Sequence, residues 1–74
     1  MSPALSDLPV RDVARVLRAV GFERVRVKGS HALYRDGDGR VVVVPEHGTI
    51  KRGTLASILR QAGLTTAEFL KLLD

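Results

Sequence analysis

The chain has 74 residues, with twelve Lys and Arg against eight Asp and Glu, and a net charge of +4. Its 45% hydrophobic and 27% charged residues are typical of a folded globular domain. The absence of cysteine excludes disulfides and thiolate metal sites, and it fits a reducing cytoplasmic location. The longest apolar run, Val41–Pro45, is too short to cross a membrane, and Met1–Asp7 lacks the pattern of a signal peptide. We therefore predict one domain over residues 1–74, and not a membrane protein, a disulfide-stabilised miniprotein or a multidomain enzyme.

The excess positive charge lies in the middle of the chain. Residues 24–52 contain seven basic and three acidic side chains, a net charge of +4, whereas the other residues sum to zero. A concentrated basic region favours a polyanionic partner, most often a nucleic acid. The alternative is a solvated sheet face that keeps the protein in solution.

A helix is predicted at residues 10–20. Its apolar residues recur at the helical spacing i, i+3, i+4 and i+7, while arginines occupy the other side. Pro9 suits the start of this helix, and Gly21 suits the position just after its end.

Two strands are predicted next, at residues 22–28 and 31–35, with Gly29-Ser30 between them. The first alternates with period two, so its valines would face one way and its basic residues the other. The valines are Val25 and Val27, and the basic residues are Arg24, Arg26 and Lys28.

Asp36–Gly39 predicts a hairpin turn, because Gly and Asp tolerate the positive φ angles of tight turns. The same residues begin like a calcium loop, but the third acidic position and the closing Glu are missing, so calcium is not expected. Residues 40–44 predict a third strand, which Pro45 ends. Because this strand is apolar on both faces, we expect it to be central or well covered.

Two further helices are predicted in the last third of the chain. Helical spacing of apolar residues runs from about Lys51 to Ala62, and Gly63 suits the end of that helix. Thr65 and Glu68 have the spacing of a capping box, which opens a short last helix. The order α-β-β-β-α with a short C-terminal helix predicts an α+β fold of two layers, in which the helices pack on one face of an antiparallel sheet.

Few side chains in so short a chain can carry chemistry. The two histidines, His31 and His47, are 16 residues apart with no metal-ligand cluster beside them, so no zinc site is predicted. His31 follows Gly29, where the absence of a side chain lets a ligand approach the backbone. Histidine exchanges a proton near neutral pH, which suits RNA cleavage because RNA supplies its own 2′-OH nucleophile. The alternative is that His31 caps a turn or lies half-buried in a strand.

Other candidate residues have a structural alternative as well. Lys51 and Arg52 begin the second predicted helix, where free N–H groups and the helix dipole favour the binding of a phosphate. The alternative is that both are solvated surface side chains. Tyr34 could stack on a base or belong to the core. Ser30 is expected in a turn or against a phosphate, and His47 in a turn.

Several short motifs occur together between about Leu8 and Leu73. In chain order they are Val20-Gly21-Phe22, Lys28-Gly29-Ser30-His31, Tyr34-Arg35, the Asp-Gly turn, Val44-Pro45-Glu46-His47-Gly48, Lys51-Arg52-Gly53-Thr54-Leu55, Ile58-Leu59-Arg60-Gln61-Ala62-Gly63 and Glu68-Phe69. Taken together, these motifs resemble the HicA toxin family of prokaryotic toxin–antitoxin systems.

The resemblance implies a fold like that of double-stranded-RNA-binding domains and the activity of an mRNA interferase, which cuts RNA without a ribosome or a bound metal. It places the family's catalytic histidine on His31 and the preceding glycine on Gly29. Many members carry a second histidine directly after the catalytic one, and here Ala32 stands in that position. This departure leaves His47 or Tyr34 as the nearby spare groups for a proton relay.

The resemblance also implies the partners. RNA is the expected substrate, and a HicB-type antitoxin is expected to cover the histidine, as in a type II toxin–antitoxin system. No cofactor, no membrane partner and no DNA contact except through the antitoxin is expected.

The leading hypothesis is a toxin endoribonuclease in which His31 moves the proton, as base or as acid. The residues expected to bind RNA are Arg26, Lys28, Gly29, Ser30, Lys51 and Arg52. One alternative is a non-catalytic RNA-binding module of the same fold, which needs the basic patch but not the histidine. Another is a protein-interaction domain whose basic face meets an acidic partner.

Overall fold

The computed structural model describes residues 4–74; Met1–Pro3, part of the segment expected to carry no signal peptide, lie outside them. The elements in chain order are β1 (Leu8–Pro9), α1 (Val10–Ala19), β2 (Glu23–Lys28), β3 (His31–Arg35), β4 (Val41–Pro45), β5 (Thr49–Ile50), α2 (Arg52–Ala62) and α3 (Thr66–Leu73). The predicted α+β order is confirmed, and the short strands β1 and β5 add to it. Within the described residues, no helix has the length and apolarity needed to cross a membrane.

The central sheet is antiparallel, with its strands in the order β2-β3-β4. β1 and β5 pair with each other in a separate two-stranded sheet. The expectation that the all-valine strand is central or well covered is wrong, because β4 is an edge strand and Val41 and Val43 are 40% and 44% exposed. Only Val42 and Val44 of this strand face the core. Valine is favoured in strands whether or not both faces are covered, so its presence does not show where a strand lies in a sheet.

The helices pack on one face of the central sheet, and buried side chains from both layers form a single core. This arrangement confirms the predicted two-layer architecture. The largest side chains that are fully buried are Phe22, Phe69, Leu17, Ile50, Leu55 and Ile58. Phe69 comes from α3, so the short last helix is part of the core and not an appendage.

The helices end where local signals in the sequence predict. α2 ends at Gly63, whose φ of +74° lies in the left-handed region that favours glycine. A Cβ atom at Gly63 would also lie 3.2 Å from Arg40 Nε, so a side chain there would be both strained and crowded. At the start of α3, the Glu68 N–H donates to Thr65 Oγ1 and the Thr65 N–H donates to Glu68 Oε1, which is the predicted capping box.

The capping box makes part of the stability depend on pH. The hydrogen bonds from the Thr65 backbone and side chain hold the pKa of Glu68 below its ordinary value. A carboxyl whose pKa is lowered by folding stabilises the native state above its ordinary pKa, and this contribution is lost as the pH falls through the folded-state value. We therefore expect the Tm to decrease as the pH is lowered past about 4.5, because glutamate in the unfolded chain takes up a proton there.

The variant Glu68→Gln should show a smaller drop in Tm between neutral and acid pH than the wild type. Thermal unfolding followed by circular dichroism at a series of pH values measures the Tm of each protein. Glu23→Gln is the matched control, because Glu23 makes no side-chain hydrogen bond within residues 4–74. An identical acid response in both variants would contradict the assignment to Glu68.

β2 contains an irregularity that simple alternation does not predict. Its register with β3 shifts so that Arg24 pairs with Tyr34, whereas Arg26 pairs with Leu33. Val25 is the extra residue of a β-bulge, which places two successive residues opposite one partner. Arg24 consequently lies on the helix side of the sheet, while Val25 and Arg26 lie on the other side. The prediction that the basic residues of this strand share one face is therefore wrong for Arg24, and the prediction that Val25 and Val27 share a face is wrong for Val25.

Candidate nucleic-acid interface

The face of the central sheet opposite the helices is exposed to solvent, and we call it the open face. Cross-strand pairing arranges its side chains in three rows. The rows are Lys28–His31–Pro45, then Val25 and Arg26 with Leu33 and Val43, then Glu23–Arg35–Val41. The open face thus carries three cations and one carboxylate around an apolar centre.

His31 is the first residue of β3 and is held in place by a tight turn. Gly29 has a φ of +60°, whereas no non-glycine residue of the described chain has a positive φ, so Gly29-Ser30 has the pattern of a type II′ turn. The Glu46 N–H donates to the Ser30 carbonyl at 2.7 Å, which ties the turn to the end of β4. His31 is therefore an exposed side chain on a hydrogen-bonded frame.

His31 lines a shallow depression of about 360 Å³ in the open face. Its other lining residues are Arg26, Lys28, Ala32, Leu33 and Val43. The ion pairs within residues 4–74 involve neither Arg26 nor Lys28, so both cations are free to meet an anion. The depression therefore combines a proton-exchanging imidazole with two unpaired positive charges.

The structure does not bring His47 or Tyr34 to His31. Tyr34 is only 3% exposed and faces the helices, because it lies three residues after His31 in an alternating strand. This burial agrees with the core interpretation of Tyr34. His47 follows the end of β4 and lines a different groove, beside α1. Neither residue lines the depression that contains His31.

The start of α2 is already occupied by a carboxylate. The Arg52 N–H donates to Asp7 Oδ1 at 2.9 Å, and Lys51 Nζ lies 3.6 Å from Asp7 Oδ2. The expectation of free N–H groups at this helix start is therefore wrong for Arg52. The sequence does not predict the contact between Asp7 and α2, because no local pattern links residues that are 45 positions apart in the chain. Lys51 and Arg52 also lie outside the depression around His31.

The Asp36–Gly39 turn uses its carboxylates within the hairpin. Asp36 Oδ1 accepts hydrogen bonds from the N–H groups of Asp38 and Arg40, and the Arg40 guanidinium pairs with both carboxylates. Burial alone would raise the pKa of Asp36, but the hydrogen bonds from Arg40 and Asp38 hold it below its ordinary value. Within residues 4–74, no three His, Asp or Glu side chains are grouped so that they could hold a metal ion.

The fold and the open face define a class of protein, a small α+β domain with a basic, solvent-exposed antiparallel sheet. The sequence model of the HicA toxin of bacterial toxin–antitoxin systems matches residues 10–64. The chain therefore belongs to the HicA toxin family, and its fold is the double-stranded-RNA-binding-like fold of that family. No curated protein matches the chain. Family membership implies an antitoxin partner.

Proposed function

We propose that this toxin is an endoribonuclease that cleaves mRNA without a ribosome or a bound metal, in the cytoplasm. One observation carries the proposal: His31 is exposed on the open face, directly across from Lys28 and, within residues 4–74, without a carboxylate partner. A proton-transfer group beside a free cation is what attack of a 2′-OH on its neighbouring phosphate requires.

In the proposed reaction, the 2′-oxygen of one ribose forms a bond to the adjacent phosphorus, and the bond from phosphorus to the 5′-oxygen of the next nucleotide breaks. His31 takes the 2′-OH proton as base or supplies a proton to the leaving oxygen as acid. Arg26 and Lys28 stabilise the extra negative charge that develops on the phosphate oxygens. Because the depression is open to solvent and contains no second histidine, water is the available partner for the other proton.

The remaining candidate residues have supporting roles in this proposal. Gly29 and Ser30 form the exposed turn next to His31, where an RNA backbone can approach closely. Lys51 and Arg52 provide a more distant phosphate contact, in which an RNA phosphate replaces the Asp7 carboxylate.

We further propose that the antitoxin is of the HicB type and inhibits by covering the open face. Exposed valines surround the basic residues there: Val25, Val41 and Val43. A protein partner that buries these valines would also cover His31, because Val43 and His31 line the same depression.

The identity of the nucleophile provides the direct test. Purified protein should cleave an RNA oligonucleotide in the presence of EDTA, and it should leave a 2′,3′-cyclic phosphate on one product. The same oligonucleotide with 2′-deoxyribose at every position should not be cleaved, because the attacking oxygen is missing. Gel electrophoresis of end-labelled substrates measures both outcomes. Cleavage of the deoxy substrate, or binding of RNA without any cleavage, would contradict the proposal, and the second result would favour the non-catalytic RNA-binding module.

A further inference from the structure

A second groove lies on the helix side of the central sheet, and we call it the α1 groove. It has a volume of about 390 Å³, which is within the range of small-ligand clefts. One wall is formed by α1 and the other by β2 and the segment after β4. Its lining residues are Pro9, Val10, Arg11, Ala14, Arg18, Arg24, Tyr34, Glu46, His47 and Gly48.

The α1 wall presents two free positive charges. Arg11 and Arg18 are seven residues apart, two turns of helix, so they lie on one face about 10 Å apart along the axis. Ala14 lies between them and leaves space for a ligand. Neither arginine has a carboxylate within 4 Å in the described part of the chain. On the opposite wall, Arg24 is neutralised by Glu46, with 2.7 Å between Arg24 Nη1 and Glu46 Oε1.

The floor of the groove supplies a polar contact. Tyr34 is almost fully buried, yet its hydroxyl makes no hydrogen bond within residues 4–74. No fully buried side-chain oxygen of those residues lacks a partner, so the Tyr34 hydroxyl is not completely enclosed, and Tyr34 lines the groove. His47 lines the same groove and offers an imidazole N–H as a second donor.

We propose that the α1 groove is a second RNA subsite, which binds phosphodiester groups that flank the one cleaved at His31. The inference rests on the proposed endoribonuclease activity. The two sites are continuous through one short segment: Pro45 lies directly across from His31, and the next residues, Glu46 and His47, line the groove. An RNA strand can therefore pass from the open face around the end of β4 into the groove.

The chemistry of the groove favours RNA over an acidic protein. Guanidinium groups form paired hydrogen bonds with phosphate oxygens, and tyrosine and histidine provide further donors. Protein interfaces usually need a buried apolar anchor at the centre. The large apolar side chains exposed in the described chain are Val25, Val27, Val41, Val43 and Leu72, and none of them lines the groove.

The test compares two double variants that lose the same charge. Arg11→Gln with Arg18→Gln removes the free charges of the groove, whereas Arg60→Gln with Lys71→Gln removes two charges from α2 and α3 outside it. Glutamine keeps the helix propensity of the replaced residues, so both proteins should fold. Both are made with His31→Ala, so that RNA stays intact during binding measurements by fluorescence anisotropy at several salt concentrations.

The groove variant should bind a single-stranded RNA of about 20 nucleotides roughly tenfold more weakly than the control variant. The slope of its plot of log affinity against log salt concentration should be smaller in magnitude by about 1.4, because two phosphate contacts to single-stranded RNA are lost. An RNA of about four nucleotides should distinguish the two variants much less, since it fills only the open face.

The outcomes separate the two proposals. If the protein with His31→Ala alone binds no RNA and the wild type cleaves none, the proposed function itself fails. If the wild type cleaves RNA but the groove variant binds the long RNA with the affinity and salt dependence of the control, the RNA subsite is refuted. Unchanged RNA binding with weakened binding of the antitoxin also overturns the inference, and it would assign the groove to the protein partner.

Discussion

The variant His31→Ala is expected to cleave RNA about 10²- to 10⁴-fold more slowly than the wild type, which is the usual contribution of one proton-transfer group. The free cations of the depression, Arg26 and Lys28, remain in this variant and still stabilise the developing charge. Affinity for RNA should therefore change by only a small factor, so the loss should appear in kcat and not in KM. Single-turnover cleavage and anisotropy binding with the same oligonucleotide measure the two effects.

His47→Ala is the matched control for this experiment. It removes the other histidine of the chain, but from the α1 groove on the far side of the sheet. Because His47 is placed in the RNA subsite and not at the reacting phosphate, its loss should weaken RNA binding, but single-turnover cleavage at saturating protein should remain within a few-fold of the wild-type rate. Equal rates for His31→Ala and the wild type would rule out a catalytic His31. An equally large loss in both variants would show that the proton transfer needs a rearrangement that brings the two sites together.

The largest effect on stability is expected from Phe69→Ala, which should lower the free energy of unfolding by about 3–5 kcal/mol. Phe69 is fully buried among side chains of the single core, so the change removes apolar burial and leaves a cavity. A single core of this size rarely supplies more than about 3–5 kcal/mol in total. We therefore expect a substantial unfolded population at 25 °C, measured by urea unfolding followed by circular dichroism.

Two further variants keep this prediction testable if Phe69→Ala does not fold at all. Phe69→Leu retains most of the apolar volume and should remain folded, with a loss of about 1–1.5 kcal/mol. Leu72→Ala changes an exposed residue of the same helix and should lower stability by no more than about 0.5 kcal/mol. A loss from Leu72→Ala as large as that from Phe69→Leu would contradict the assignment of Phe69 as the anchor of α3.

The role of α3 is of interest because the family match ends at residue 64, before this helix begins. The structure nevertheless shows α3 tied to the rest of the domain. Besides the burial of Phe69, Arg15 Nη2 of α1 donates to the Leu73 carbonyl at 2.8 Å. Removal of α3 is thus expected to expose part of the shared core.

The features that the sequence predicts well depend on neighbouring residues. The ends of α1 and α2 follow from Gly21 and Gly63, and the start of α3 follows from the Thr65–Glu68 capping box. The exposure of His31 on a sheet face could be expected for the same reason, because a two-residue turn precedes it and alternation fixes the side of the strand.

The features that the sequence does not predict depend on distant residues or on one backbone irregularity. Because of the bulge at Val25, Arg24 lies on the helix side, although basic residues and valines alternate regularly along the strand. The position of β4 at the edge depends on strand order, which the composition of a strand does not encode. Asp7 reaches the start of α2 from the other end of the chain, and His47 is carried to the α1 groove by the course of the chain after β4.

The bulge in β2 also affects how copies of this small protein can meet one another. An outer strand exposes backbone N–H and C=O groups that can template another strand, and a bulge disturbs their regular spacing. On the other outer strand, the Val43 N–H is taken by Gln61 Oε1 at 3.3 Å, and Pro45 has no N–H to offer. Both margins of the sheet are thus protected against edge-to-edge aggregation, despite four exposed valines nearby. We expect a protein partner to dock on the open face and not to add a strand to either edge of the sheet.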